Sequence, residues 1–420
     1  MSSVLFPIDQ PLDAAVMTAR LQRYAHEIHA VHVWREPSAD ARFRILAKAN
    51  IGTQGMPTHA GSKALQELHL PDAHCVRLLR EADCDVFGKT TMTELAGFVT
   101  TAKSNLGYSH LGGFPQNPHG NFPPQGSSSG SAVAVAAGLC DAALGTETRG
   151  SLMMPGLACA VVAYKPSRGL ISRSRIIPIS HHFDTPGVIA RNVSDAQCIA
   201  EMMTGLDPED PITQFCRQRQ VNQGKRQAKS GRLRLAFLGS QDMISTLPSW
   251  FCQAFDVVPA SAKETDFDYK LITSLDIRND MDDLLGRYAV PPTPSSFAQL
   301  YAFYRAHPDT HPFGMNRLDD AAHFEMLPCD EIDAIAEKNI LRARALIADL
   351  IRGSETDAVV TTSFVDWWSI SGAPSITVPI GNEISNKPIG LMVGTAFGED
   401  ATLIDVAKTI ESHRRENNSL

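Results

Sequence analysis

The eight cysteines of this chain (Cys75, Cys84, Cys140, Cys159, Cys198, Cys216, Cys252 and Cys329) include no C-x-x-C pair. Their scatter lacks the spacing of a zinc site or a disulfide frame and fits reduced, buried thiols. Fourteen histidines are present, His181 and His182 side by side, but no H-E-x-x-H occurs, so the common two-histidine metal helix is missing. No segment approaches the roughly 18 apolar residues of a membrane span. The opening MSSVLFPIDQPLDAAV lacks the basic start and apolar run of a signal peptide. Basic charge is also short, with 38 Lys and Arg against 46 Asp and Glu and a formal net charge of −8. An acidic chain is a poor match for nucleic acid or anionic lipid. These absences predict a cytoplasmic protein with no nucleic-acid or membrane partner and no metal. They leave a homodimer open.

What is present suits a folded enzyme. The chain has 420 residues, 43% hydrophobic and 20% charged, enough to bury a sizeable core. Strand patterns fall at FRILAKA (Phe43–Ala49), DVFGKT (Asp85–Thr90), AALGT (Ala142–Thr146), AVVAYKP (Ala160–Pro166) and RLRLAFLG (Arg232–Gly239). Three more follow near the end, at AVVTTS (Ala358–Ser363), PSITVPIG (Pro374–Gly381) and PIGLMVGTAF (Pro388–Phe397). The first 35 or so residues read as helical, with a polar-apolar mix around 14–30, and further helical patterns fall at about 63–70, 74–80, 131–139, 194–203, 330–353 and from about Asp400. Strands alternating with helices predict an α/β fold with one mixed central sheet covered by helices on both faces. Residues 208–231 read as a polar linker, and 268–328, rich in proline and aromatics, as irregular.

Two familiar signatures fail on inspection. FGKTT (Phe87–Thr91) resembles the tail of a phosphate-binding loop, but the required first glycine is Asp83. GSSSG (Gly126–Gly130) matches G-x-S-x-G with Ser128 as nucleophile, yet NFPPQ stands before it. Two prolines cannot form the central strand that such an elbow needs. What remains is a pair of Ser/Gly-rich turns separated by an Ala-rich helix and a strand. Such turns can present exposed hydroxyls beside free backbone N–H groups, the raw material of acyl transfer.

Those turns carry a resemblance. QGSSSGSAVAVAAGL followed by LGTETRGSLMMPG resembles the amidase signature, a GGSSGGSA turn, an Ala-rich helix and a GTDTGGS turn, with Ser127 and Ser151 separated by 24 residues. LAKANIGTQGMPTHAGS (Leu46–Ser62) resembles the family block that holds the catalytic lysine, here Lys48, and FGKTTMTELAGF (Phe87–Phe98) resembles the GKTNMDEFA block, where Lys89 is structural. YKPSRGLISR (Tyr164–Arg173) and PISHHFDTPGVIARNVSDA (Pro178–Ala196) also fit, and the wording is similar to the peptide amidase-like subgroup. The resemblance implies a single domain over 1–420, with a signature core at about 43–203, a variable pocket region at about 205–350 and final strands at about 356–415. It implies hydrolysis of a small or peptide-like amide with no cofactor. Lys48 would deprotonate Ser127, Ser127 would deprotonate Ser151, and Ser151 would attack the carbonyl. A cis peptide bond would precede Ser127. Backbone N–H groups of Thr148, Arg149, Gly150 and Ser151 would hold the oxyanion, each donor being worth roughly 3 kcal/mol. The lysine must be neutral for this relay, and burial within FRILAKA would lower its pKa.

Departures from the family pattern bear on substrate choice. Ala49 replaces the usual Asp after the lysine, Arg149 replaces a glycine, and Met153 and Met154 stand where an arginine often follows the nucleophile. Arg149 either pairs with Glu147 or selects an anionic substrate. The acyl pocket would draw on Tyr301, Phe303, Tyr304, Phe313, Asp366, Trp367 and Trp368, with Tyr304, Trp367 and Trp368 the leading substrate contacts beside Arg149. The same triad could also serve amide transfer within an amidotransferase, biosynthetic acyl transfer or ester cleavage. An inactive binding protein on the same fold is the alternative of another class.

Overall fold

Alternation along short apolar strands organises the molecule. The computed structural model describes residues 5–6, 12–102, 106–214, 232–261, 265–382 and 387–417. Among these, eleven strands form one sheet: β1 (Val31–Trp34), β2 (Arg44–Lys48), β3 (Asp85–Thr90), β4 (Ala142–Glu147), β5 (Val162–Lys165), β6 (Thr185–Ala190), β7 (Arg234–Leu238), β8 (Asp256–Ala260), β9 (Ala358–Thr361), β10 (Ser375–Asn382) and β11 (Pro388–Gly394). Their order across the sheet is β1-β3-β2-β4-β6-β5-β10-β11-β9-β7-β8. β2 runs parallel to β3 and β4, and β7 parallel to β8 and β9; the other pairs are antiparallel. The expected mixed α/β sheet is therefore present.

Successive side chains of a strand point to opposite faces. In β2, Ile45 and Ala47 enter one core and Leu46 the other; in β4, Ala142 and Leu144 enter the first core and Ala143 the second. The first core is closed by helices His74–Glu81, Val193–Met203 and Asp400–Glu416. The second is closed by Ala14–Tyr24, Ser129–Ala136, Met153–Ala158, Cys329–Gly353 and Trp367–Ser371. All eight residues of Ser129–Ala136 are buried. Its small side chains permit the approach: a Cβ on Gly130 would sit 2.4 Å from Thr91 Oγ1.

The expected irregular stretch at 268–328 is instead three helices, Tyr269–Tyr288, Phe297–Ala306 and Asn316–His323. They pack a third, smaller core around Ile277, Met281, Leu285, Leu300, Tyr304 and Leu318. The longest of them buries Thr273, Ser274 and Asp276 among its apolar residues, so its amphipathic period is blurred in the sequence. The prolines at 291, 292, 294, 308 and 312 lie between the helices, not within them. Near the N-terminus, where helix is expected to about residue 35, the helix stops at Tyr24 and residues 31–34 instead join the sheet as β1. β8 carries Pro259, which its edge position tolerates. Most of the expected linker, 215–231, lies outside the described residues.

Candidate active site

Lys48 is the last residue of β2, and strand alternation puts it on the face of Leu46, under helix Ser129–Ala136. The loop leading into that helix carries Ser127 and Ser128. Lys48 Nζ donates to Ser127 Oγ at 2.8 Å, Ser128 Oγ at 3.0 Å and Thr146 Oγ1 at 2.9 Å. The side chain is fully buried. Burial pulls its pKa from 10.5 to about 7, against the opposing pull of the Asp184 and Glu147 carboxylates. The peptide bond between Gly126 and Ser127 is cis, as the resemblance implied.

A lowered lysine pKa does not by itself mark a base. Burial also brings Lys89 to about 7 and Lys165 to about 8. Lys89 donates to the Ile51 carbonyl and to Thr53 Oγ1, and Lys165 to the Ala373 carbonyl. Only Lys48 of these three faces serine hydroxyls. Neighbours, not titration, distinguish it.

Ser151 lies at the end of the turn after β4. The Ser128 N–H donates to the Ser151 carbonyl at 3.1 Å, tying the Ser127 loop to the Ser151 turn. The Ser127 and Ser151 hydroxyls make no direct hydrogen bond to each other, so this backbone contact is what joins the two loops. Among the described residues, the backbone N–H groups of Thr148, Arg149, Gly150 and Ser151 donate to no protein acceptor. Gly150 holds φ +81, and a Cβ there would meet Met154 Sδ at 2.9 Å and Phe364 Cζ at 3.0 Å. Both the left-handed turn and the close packing require glycine. Glu147 anchors the far side of the turn by accepting from Leu152 N–H at 2.9 Å, Met153 N–H at 3.1 Å and Ser369 Oγ at 2.7 Å. Asp184 accepts from Thr148 Oγ1 and from the N–H groups of Ile179 and Ser180, and burial raises its pKa to about 6.

A cavity of about 250 Å³ opens against Ser151, lined also by Thr148, Arg149, Tyr269, Lys270 and Arg317. A second cavity of about 310 Å³ shares Ala96, Thr148 and Ile179 with it and reaches Asn50, Thr146 and Asp184. Arg149 does not pair with Glu147. Its Nη2 lies 2.9 Å from Asp366 Oδ2, and its guanidinium sits 4.9 Å from the Tyr269 ring centre. The carboxylate of Glu147 is committed to backbone donors and Ser369, so the partly exposed Asp366 is the available partner.

Three expected substrate contacts belong to the core instead. Trp368 is buried, donates its indole N–H to the Thr395 carbonyl at 3.0 Å, and lies over Gly394, where a Cβ would come within 2.2 Å of the ring. Trp367 packs beside it in the second core. Tyr304 is buried with its hydroxyl on Glu94 and Ser62. Neither adjacency nor aromatic content in the sequence separates such residues from pocket walls. Ser128, Thr146, Tyr269 and Arg317 were missed. The first two were legible as neighbours of the motif serines; the last two lie in the variable region and only the fold brings them to Ser151.

Metal-ligating groups converge in one place among the described residues, where ligand atoms of His181, His182 and Asp276 lie within 4.8 Å of one another. Their ring nitrogens already pair with carboxylates, His181 Nδ1 with Asp280 at 2.9 Å and His182 with Asp276 at 2.9 Å and Asp333 at 3.1 Å. No catalytic serine belongs to the group. No helix among the described residues is long and apolar enough to cross a membrane.

Residues 44–251 match the family model described as Amidase. The fold is similar to the crystal structure of PAM12A, at 30% identity and TM-score 0.80 over 96% of this chain and 94% of that one. Native peptide amidase from Stenotrophomonas maltophilia gives 29% identity and TM-score 0.81 over the same shares. A glutamyl-tRNA(Gln) amidotransferase subunit from Methanothermobacter thermautotrophicus is 26% identical over 92% of this chain and 88% of that protein. A stretch of 171 residues is 44% identical to an amidase-named protein of Schizosaccharomyces pombe but spans only 29% of that protein. Near-complete overlap with PAM12A, and a matched family region that contains the lysine and both serines, lead to one conclusion: the chain belongs to the amidase signature family, and it is an amidase.

Proposed function

We propose that this amidase hydrolyses a small or peptide-like amide through a Ser151 acyl-enzyme, with Lys48 and Ser127 moving the proton. The observation that carries this reading is the buried Lys48 Nζ–Ser127 Oγ contact of 2.8 Å behind the serine that faces the cavity. Near neutral pH a large share of Lys48 is uncharged and able to accept a proton from Ser127. Ser127 in turn takes the proton of Ser151 as the Ser151 oxygen bonds to the amide carbon. The carbonyl oxygen becomes an oxyanion in front of the unpaired N–H groups at 148–151. As the C–N bond breaks, Ser127 returns a proton to the departing nitrogen. Water then adds to the acyl-enzyme by the same relay and releases the acid. Every step is carried by side chains and backbone of this chain.

Peptide-like substrates are favoured by the likeness to the Stenotrophomonas peptide amidase at 29% identity over nearly the whole chain. The net charge of −8 speaks against a role in handling tRNA. The test is hydrolysis of a panel of primary and peptide amides by wild type, Ser151→Ala and Lys48→Ala, with a fluorophosphonate label read by mass spectrometry. Ammonia or amine release by wild type, its loss in both variants, and label on Ser151 are expected. A Ser151→Ala protein that still cleaves amides would sink the mechanism.

A further inference from the structure

The Ser151 cavity is lined by three cations, Arg149, Lys270 and Arg317, and a single acidic side chain, Asp320. Two of the cations are already matched. Arg149 lies 2.9 Å from Asp366, and Lys270 lies 2.9 Å from Asp320. Arg317 forms no ion pair among the described residues. Its Nη1 donates to the Gly97 carbonyl at 3.1 Å, and its guanidinium carbon lies 4.3 Å from the Phe98 ring centre and 5.9 Å from that of Tyr269.

That setting is unusual for a surface arginine. A guanidinium has five donors in a planar fork; the Gly97 carbonyl takes one and the Tyr269 hydroxyl accepts a second, which leaves part of the fork free. The two aromatic rings and the backbone acceptor restrict the side chain, so little rotamer freedom is left to lose on binding a ligand. The half-buried position strips water from the charge, which strengthens its attraction for an anion. Arg149, the cation visible beside the nucleophile in the sequence, is neutralised by Asp366. The uncompensated charge therefore resides on Arg317, in the same 250 Å³ space as Ser151.

We propose that the substrate amide bears a carboxylate and that Arg317 receives it, a subsite that rests on the reading of Ser151 as nucleophile. The carboxylate fits the open edge of the fork by two parallel hydrogen bonds, while the amide carbonyl of the same molecule faces Ser151. Arg149 and Asp366 then close one side of the space as a neutral pair. The carboxylate can sit on the acyl part, as in a dicarboxylic acid monoamide, or on the amine part, as in an N-acyl amino acid. Both share the chemistry that Arg317 recognises.

The test separates binding from turnover. Ser151→Ala protein is titrated calorimetrically with succinamate, with N-acetylglycine and with neutral pentanamide. At least one anion is expected to bind about 10- to 100-fold more tightly than pentanamide, the range of a hydrogen-bonded charge pair. The preferred anion names the side of the amide that carries the carboxylate. Arg317→Gln in the same background should bring the ratio of affinities to within about threefold of one. Arg317→Lys, which keeps the charge and stem but loses the fork, should retain only part of the preference and serves if the glutamine variant does not fold. Equal binding of all three amides, or a preference unchanged in both Arg317 variants, overturns the subsite. Wild type that binds the anions selectively but hydrolyses no amide would instead overturn the catalytic reading and leave the subsite standing.

Discussion

The protonation of Lys48 gives the most discriminating prediction. Burial brings its pKa to about 7 rather than 10.5. The direction follows from desolvation, which disfavours the charged form of an amine. The base must be neutral, so activity is lost as pH falls through the folded pKa and is complete above it. With a pKa of about 7, the neutral fraction rises from about 9% at pH 6 to about 91% at pH 8, so kcat/KM should rise about tenfold and then level off. A lysine left at 10.5 would give about a hundredfold rise over the same interval and no plateau below about pH 10. At pH 7.5 the lowering makes the neutral base roughly 800-fold more abundant, equivalent to about 4 kcal/mol. The assay is steady-state ammonia release from a primary amide between pH 5 and 10, in a constant-ionic-strength buffer series. Lys48→Met should lower kcat by about 10²- to 10⁴-fold, the usual range for removing a general base. A rate that keeps climbing tenfold per pH unit beyond pH 9, or is flat from pH 5 to 9, refutes Lys48 as a desolvated base.

The other expectations concern its surroundings. Asp184→Asn removes a carboxylate that favours protonated Lys48, so the acid limb of the same profile should move to lower pH; a shift to higher pH would contradict the assigned sign. Gly150→Ala demands a strained φ and displaces Met154 and Phe364, so kcat should fall by about 10²-fold through a misplaced oxyanion donor, with unchanged kcat showing that the turn does not hold the oxyanion. Trp368→Ala should cost about 3–5 kcal/mol of stability, read by denaturant titration; a raised KM with undiminished stability would return Trp368 to the pocket wall.

Much of this molecule was legible before folding. Short apolar runs located β2, β3, β4, β5, β7, β9, β10 and β11, because strands buried on both faces show themselves in local sequence. Lys48, Ser127 and Ser151 were legible because they sit in short contiguous motifs, and the Lys48–Ser127 contact agrees with that assignment. The resemblance also separated Lys89 from Lys48, a distinction that titration alone does not make. Ser128 stood in plain view beside Ser127, yet its bond to Lys48 emerges only when β2 slides under helix Ser129–Ala136. The helices at 269–323 stayed hidden because their inward faces mix buried polar residues with apolar ones. The substrate side was the least legible. Arg149 could meet Glu147 or a ligand, and it was the tertiary placement of Asp366, more than 200 residues away in the chain, that decided its partner. Tyr304, Trp367 and Trp368 look like pocket residues in the sequence and became core because Glu94, Thr395 and Gly394 lie where their polar atoms and ring faces need partners. Catalytic motifs are local and survive translation into one dimension. A pocket is a meeting of distant segments, and which charge remains unpaired inside it is decided only when those segments pack.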